Sequence, residues 1–164
     1  MKFWSRLGGV LVVALLLQLT MFSTVRVVGV APELLVLVAV LAGFFVGPDR
    51  GALVGFVAGL LWDLYLPAPI GVAAFTFAMV AFAVGALNEG LFHESRSQLL
   101  LVAGIASAAS MVGYAIVGTT LGTGGLLATD LIVVTIMVGV MNAVLAPVVA
   151  PAVRWVFADQ GFRL

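Results

Sequence analysis

Cysteine is absent from this 164-residue chain, and histidine occurs once, at His93. The first absence removes disulfide scaffolds and thiolate metal sites. The second leaves too few imidazoles for a histidine-built zinc or haem centre. Charge is equally scarce: 9% of the residues are charged, against about 25% in an ordinary soluble domain. Seven basic and seven acidic side chains balance to a formal net charge of zero, so no basic face is available for nucleic acid. Disorder is excluded by the opposite excess, 64% hydrophobic residues with a mean hydropathy of +1.31. A chain with so few polar groups cannot clothe a water-facing surface. What fits is an all-α integral membrane protein, a single polytopic domain over residues 1–164.

Charged and turn-forming residues cut the chain into six apolar stretches. The first runs from about Leu7 to Val25 and stops at Arg26. The second starts near Ala31-Pro32-Glu33 and ends at Gly47-Pro48-Asp49-Arg50-Gly51. The third follows directly and ends at Leu66-Pro67-Ala68-Pro69. The fourth covers Ile70 to about Leu87, before the polar segment Asn88 to Gln98. The fifth spans about Leu99 to Leu121, and Gly122-Thr123-Gly124-Gly125 breaks it. The sixth runs from Leu126 to about Val149, before Pro151 and a polar tail. The second and third are short. At about 15 residues each they reach roughly 22–24 Å, so they either cross a thin region or form a re-entrant pair among the other helices. Two spans are the preferred reading, because they put Lys2, Arg6, Arg50, Arg96, Arg154 and Arg163 on one side and only Arg26 on the other. Positive charge stays inside, which gives about six transmembrane helices with both termini cytoplasmic. The basic start and apolar run mimic a signal peptide, but no Ala-x-Ala site follows, so an uncleaved first span is expected.

Acids carry the most information here, since a charge at the bilayer centre costs ~2.5–3.5 kcal/mol on insertion scales. Glu33 opens the second helix, Asp130 the sixth, and Asp63 closes the third. All three are expected toward the outer side, with Arg26 the one basic residue there. Glu33 and Asp130 sit in first turns, where the helix dipole favours a negative charge. Asp63 sits at the opposite pole of its helix, so something must compensate it, such as Arg26 or a partner chain. It also ends a stripe: Gly51, Gly55 and Gly59 precede it at intervals of four, on one helix face. Such small-residue faces let another helix approach closely. Two further stripes are Ala103, Ser107, Ser110 and Tyr114 on the fifth helix, and Thr135, Gly139, Ala143 and Pro147 on the sixth. All three read first as packing within the chain. Asn142 lies in mid-helix, placed to bridge helices by hydrogen bonding. Glu89, His93, Glu94 and Arg96 read as a solvated loop, and Trp4, Trp62 and Trp155 as boundary aromatics.

No catalytic constellation is present. A Ser/His/Asp set would need His93, which lies in a loop away from Asp63 and Asp130. The chain has no HExxH, no Walker A loop and no GxGxxG after a strand. The expectation is a non-enzyme without cofactor or metal. A proton-coupled carrier can run on one membrane acid, but no inverted repeat and few midplane polar residues point to one.

The run Pro32-Glu33-Leu34-Leu35, then Gly51 through Gly55-Phe56-Val57-Ala58-Gly59-Leu60-Leu61-Trp62-Asp63-Leu64, then Pro69-Ile70-Gly71, resembles the bacterial rod-shape-determining MreD family. Its pattern is a Pro-acid-Leu-Leu start, a GFxxGLLxD core and a Pro/Leu-Gly pair; Leu17-Gln18 also fits, and Asp130 matches nothing in it. The resemblance implies a multi-pass protein of the bacterial inner membrane, similar in shape to ECF transporter substrate-binding subunits and not an enzyme. It implies a scaffold of the elongation machinery that associates with MreC directly, and with MreB, RodA and the elongation-specific transpeptidase directly or through MreC. On this reading Gly51, Gly55 and Gly59 permit close packing, and Asp63 fixes a partner or a neighbouring helix through a charge-assisted hydrogen bond. The alternative is a substrate-binding membrane subunit of an ECF-like transporter, with Glu33, Asp63 and Asp130 supplying the polar groups of an outward pocket; Arg26, Glu33 and Asp130 are a candidate outer-side polar cluster. A small proton-coupled exporter stands third.

Overall fold

A computed structural model of the chain describes residues 2–24, 29–65, 69–91, 95–122 and 129–158, with side chains over 3–20, 29–65, 69–88, 95–122 and 131–158. These residues form six helices: α1 (Lys2–Thr24), α2 (Leu34–Val46), α3 (Pro48–Asp63), α4 (Val72–Leu91), α5 (Arg96–Thr120) and α6 (Thr129–Phe157). The six expected stretches therefore appear as six helices, though not as six equal ones. By length and composition, three are able to cross a bilayer: Phe3–Thr20 within α1, Arg96–Thr120 in α5 and Leu131–Phe157 within α6. Leu34–Val46 and Val72–Asn88 are shorter apolar segments.

Each boundary has a local cause. Gly47 adopts φ +85°, which a residue with a Cβ rarely does, and its N–H returns to the Gly43 carbonyl. Pro48 occupies the first turn of α3, where its missing N–H costs nothing. One residue thus joins α2 to α3. At α5, the Ser95 hydroxyl accepts from the Gln98 N–H while the Gln98 side chain accepts from the Ser95 N–H, a capping box that starts the helix at Arg96. The polar segment is correspondingly shorter than expected, because α4 continues to Leu91; Asn88 stays in helix and donates to the Phe44 carbonyl at 2.6 Å. The sixth helix also overruns its expected end. It passes through Pro147 and Pro151 to Phe157, since apolar surroundings offer the backbone no better alternative than continued helix.

Burial separates the helices into two kinds. In α2 every residue from Leu34 to Phe44 is buried, as a helix apolar all round must be. The long helices instead turn Val12, Val13 and Leu16 of α1, Leu101 and Ile105 of α5, and Val140, Val144 and Val148 of α6 outward. An apolar exterior around an apolar centre suits lipid, not water.

Lengths then fix the shape of the bundle. At about 1.5 Å per residue, α6 is roughly 43 Å long while α2 and α3 are roughly 20 and 24 Å. Arg154, near the end of α6, lies over the Phe45 ring near the end of α2, with 4.6 Å between guanidinium carbon and ring centre. At that same end the Arg6 guanidinium donates to the Trp155 carbonyl at 3.3 Å. The other end of α2 stops well short. The Glu33 carbonyl accepts from the Asn142 side chain at 3.1 Å, and Asn142 is midway along α6. The closed turn of the α2–α3 hairpin therefore lies at the arginine-bearing end, and its open end, from Glu33 to Asp63, lies inside the bundle.

Candidate functional site

The stripe on α3 meets α4. A methyl group added to Gly55 would lie 2.5 Å from the Phe77 carbonyl oxygen and 3.0 Å from the Ala78 Cα. One at Gly59 would strike the backbone of Ala73 and Ala74, and one at Gly51 the backbone of Gly43. Gly43 itself faces the Ala81 carbonyl, and Gly85 faces Gly47 and Pro48. Three short helices are thus in backbone contact along one seam, the close approach that lets helices associate where no hydrophobic drive exists.

Asp63 ends this seam and is 1% exposed. Its Oδ2 accepts from the Gly71 N–H at 2.8 Å and the Ala74 N–H at 3.1 Å, and its Oδ1 from the Ala73 N–H at 3.0 Å. These are the otherwise unpaired amides at the start of α4. Compensation for the carboxylate at the wrong pole of α3 comes from the favourable pole of α4. The sequence could not name these donors, because the capping residue lies eight positions before the first amide it serves and across a loop.

A second helix start is tied down by a residue that the sequence offered only as part of the family pattern. Gln18 of α1 is 7% exposed, and its side-chain oxygen accepts from the Leu35 N–H at 3.3 Å. The signal was present: a lone amide in an apolar span has to find partners. Asn142, fully buried, donates to the Ser107 hydroxyl at 2.9 Å as well as to the Glu33 carbonyl, so it joins α6 to α5 and to the start of α2. The α6 stripe meets α5 at Gly139, opposite Gly104, a residue outside the α5 stripe; an added methyl group on either would come within 3.1 Å of the other's carbonyl oxygen.

Above the buried helix ends, between the longer α1, α5 and α6, lies a cleft of about 320 Å³. Gln18 and Leu19, Trp62 and Tyr65, Met111 and Val138 wall it, and the segment Gly29–Glu33 forms one side. The Trp62 and Tyr65 rings stack with centroids 5.6 Å apart. Glu33 is deeper than the interfacial position read from the sequence, level with the middle of α6. Its Oε2 is buried without a hydrogen-bond partner, as are Thr135 Oγ1 and Asn142 Oδ1. Arg26 lies outside the described residues, as do His93, Glu94 and the side chains of Glu89 and Asp130. The polar cluster of Arg26, Glu33 and Asp130 is therefore seen only at Glu33. Among the described residues, no set of three or more His, Asp and Glu converges on a metal-sized site.

Apolar helices long enough to cross a bilayer, wrapped around short ones knit backbone to backbone, define a polytopic α-helical membrane protein. No curated protein matches the chain, and no solved structure does. The family comparison is specific: the chain belongs to the family of rod shape-determining protein MreD, which matches residues 3–157. That membership ties the protein to rod-shape determination and agrees with the residues from Pro32 to Gly71 that carried the resemblance.

Proposed function

We propose that this protein is a non-enzymatic scaffold of the bacterial inner membrane, with both termini cytoplasmic, that docks MreC in the cleft above the α2–α3 hairpin. Through MreC it links MreB, RodA and the elongation-specific transpeptidase to one membrane site. The observation that carries the docking position is a cleft walled by Trp62 and Tyr65 and lined by Glu33, whose Oε2 is buried without a hydrogen-bond partner. Lipid tails supply no donor for such an oxygen, whereas a polypeptide segment supplies both a donor and side chains for an aromatic wall. The glycine stripe and Asp63 serve this role indirectly: α4 already occupies them, so they hold the walls of the cleft in place. The transporter-subunit alternative has no matching family behind it.

The test is capture from native membranes in mild detergent with the tagged full chain. MreC with the elongation synthases is the expected recovery. Tyr65→Ala and Leu19→Trp should each reduce MreC capture by at least tenfold, the scale of an interface hot spot, while leaving thermal unfolding unchanged. Normal capture by both variants would move the docking site elsewhere. Recovery of an ATPase module with a bound small molecule, and no wall-synthesis proteins, would overturn the scaffold reading.

A further inference from the structure

The bundle is not equally tall on all sides. At about 1.5 Å per residue, the apolar segments Arg96–Thr120 and Leu131–Phe157 measure roughly 37 and 40 Å. By the same rise, α3 and the apolar segment Val72–Asn88 of α4 measure roughly 24 and 25 Å. The hydrocarbon core of a bilayer is about 30 Å thick. A helix longer than the core fits by tilting, but tilting a helix that is too short lowers it further. All of these helices share the arginine-bearing end: Gly85 of α4 packs on Gly47 and Pro48, and Arg154 of α6 lies over Phe45 beside them. The difference in height therefore falls at the opposite end.

There the chain leaves α3 after Asp63 and enters α4 at Val72. Its depth follows from a neighbour. Glu33, at the same open end of the hairpin, bonds through its carbonyl to Asn142, midway along α6. The turn after Asp63 is thus about level with the middle of α6, and on the order of 10–15 Å of that helix continues beyond it. Asp63 satisfies the amides of Gly71, Ala73 and Ala74 on the inner side of the turn. The outer side is open: Leu64 and Ile70 are 68% and 67% exposed, and neither lines the cleft. Irregular backbone open to lipid does not occur at hydrocarbon depth, because its N–H and C=O groups would lack partners. Protein leaves this turn uncovered, so water has to reach it. Toward the arginine-bearing end, Phe56 of α3 and Phe75 and Met79 of α4 face outward, a surface for lipid.

We propose that the α3–α4 flank thins the bilayer beside it. The lipid–water boundary drops there by on the order of 10 Å, to the level of Leu64 and Ile70, and stays high against α5 and α6. One flank is thereby fitted to short or loosely ordered acyl chains and the other to ordinary ones. The cause is the same pair of short helices that the glycine seam binds to α2, so the thin flank is built into the fold. It stands or falls separately from the docking proposal, because neither Leu64 nor Ile70 lines the cleft.

The experiment uses single-cysteine variants of the full, cysteine-free chain in phosphatidylcholine nanodiscs, which leave both membrane faces open to a membrane-impermeant maleimide. In short-chain lipid, Leu64→Cys and Ile70→Cys should react within about tenfold of the rate of Ser95→Cys, whose thiolate forms in water. Val140→Cys, facing outward on α6 two residues from Asn142, and Phe56→Cys, two turns before Leu64 on α3, should react at least about a hundredfold more slowly, since a hydrocarbon surround suppresses the thiolate. Lengthening the acyl chains from about 14 to about 22 carbons should slow Leu64→Cys and Ile70→Cys by roughly tenfold or more, because a thicker core resists compression. All four membrane positions are exposed side chains, so the variants keep the packed interior. Leu64→Cys and Ile70→Cys as slow as Val140→Cys in short-chain lipid would overturn the proposal. Rates that ignore chain length would also overturn it, since water would then enter through the protein, as would a fast Val140→Cys, which would put the whole perimeter at that depth in water.

Discussion

Removing the Asp63 carboxylate separates a structural cap from a partner contact. Three backbone amides, those of Gly71, Ala73 and Ala74, depend on it. In Asp63→Asn, one side-chain oxygen remains. Its best placement keeps Gly71 and Ala74 on the oxygen and turns the new NH₂ toward the Ala73 N–H. One buried donor is then orphaned, at about 1–3 kcal/mol. In Asp63→Ala all three are orphaned and the charge at the helix pole is lost, for a total on the order of 3–5 kcal/mol. The sharp readout is hydrogen exchange at the start of α4, where every 1.4 kcal/mol of lost local stability speeds exchange about tenfold. Exchange over residues 71–74 should accelerate about ten- to a hundredfold in Asp63→Asn and further in Asp63→Ala, with thermal unfolding in detergent falling in the same order. Asp63→Ala with unchanged exchange at these amides, and a loss confined to MreC capture, would refute the cap and make Asp63 a direct partner contact.

Other perturbations follow from the same geometry. Gly55→Ala places a methyl against α4 backbone that cannot rotate away, so it should cost about 1–3 kcal/mol in thermal unfolding, whereas Gly8→Ala, with nothing within 4 Å of the added carbon, should be neutral. Asn142→Leu removes bonds to the Ser107 hydroxyl and the Glu33 carbonyl. It should lower stability by about 1–2 kcal/mol, read against Ser107→Ala, which leaves the Glu33 bond in place. The absence of native cysteine makes orientation directly measurable: Ser95→Cys should react with a membrane-impermeant thiol reagent only from the cytoplasmic side, and Leu121→Cys only from the outer side. The reverse pattern would invert the topology.

The six helices were legible because apolar stretches and breakers are local signals, and the breaker at Gly47-Pro48 acted as expected, whereas α5 starts at Arg96, three residues before the expected Leu99. The overrun of α6 was not legible, since Pro151 reads as a terminator in water and is tolerated in a helix sheltered by apolar neighbours. The Gly51–Gly55–Gly59 stripe announced a close contact but not which helix makes it; four-residue spacing defines a face and nothing across from it. Gln18 and Asp63 show the same limit. Each is visibly expensive in its own helix, yet its partners are backbone amides of another element, and amides carry no sequence signature.

The shortness of α2 and α3 ties these facts together. A helix that ends at the membrane surface has its terminal amides and carbonyls satisfied by water. One that ends inside the bundle does not, and each unsatisfied group there costs several kcal/mol. The chain meets that demand at two places: Asp63 closes the start of α4, and Gln18, from α1, reaches the start of α2. A third buried acceptor, Glu33 Oε2, is left over, beside the one region where α1, α5 and α6 outreach the hairpin and leave a cleft. The same truncation that forces internal caps therefore creates a walled space lined by Glu33, with Glu33 Oε2, Thr135 Oγ1 and Asn142 Oδ1 buried and unpartnered. If the cleft were only a packing defect, Glu33→Gln would be neutral or stabilising and would leave MreC capture intact. If it is the docking site, Glu33→Gln keeps one acceptor oxygen but replaces the other with a donor, and capture should fall while the unfolding temperature holds.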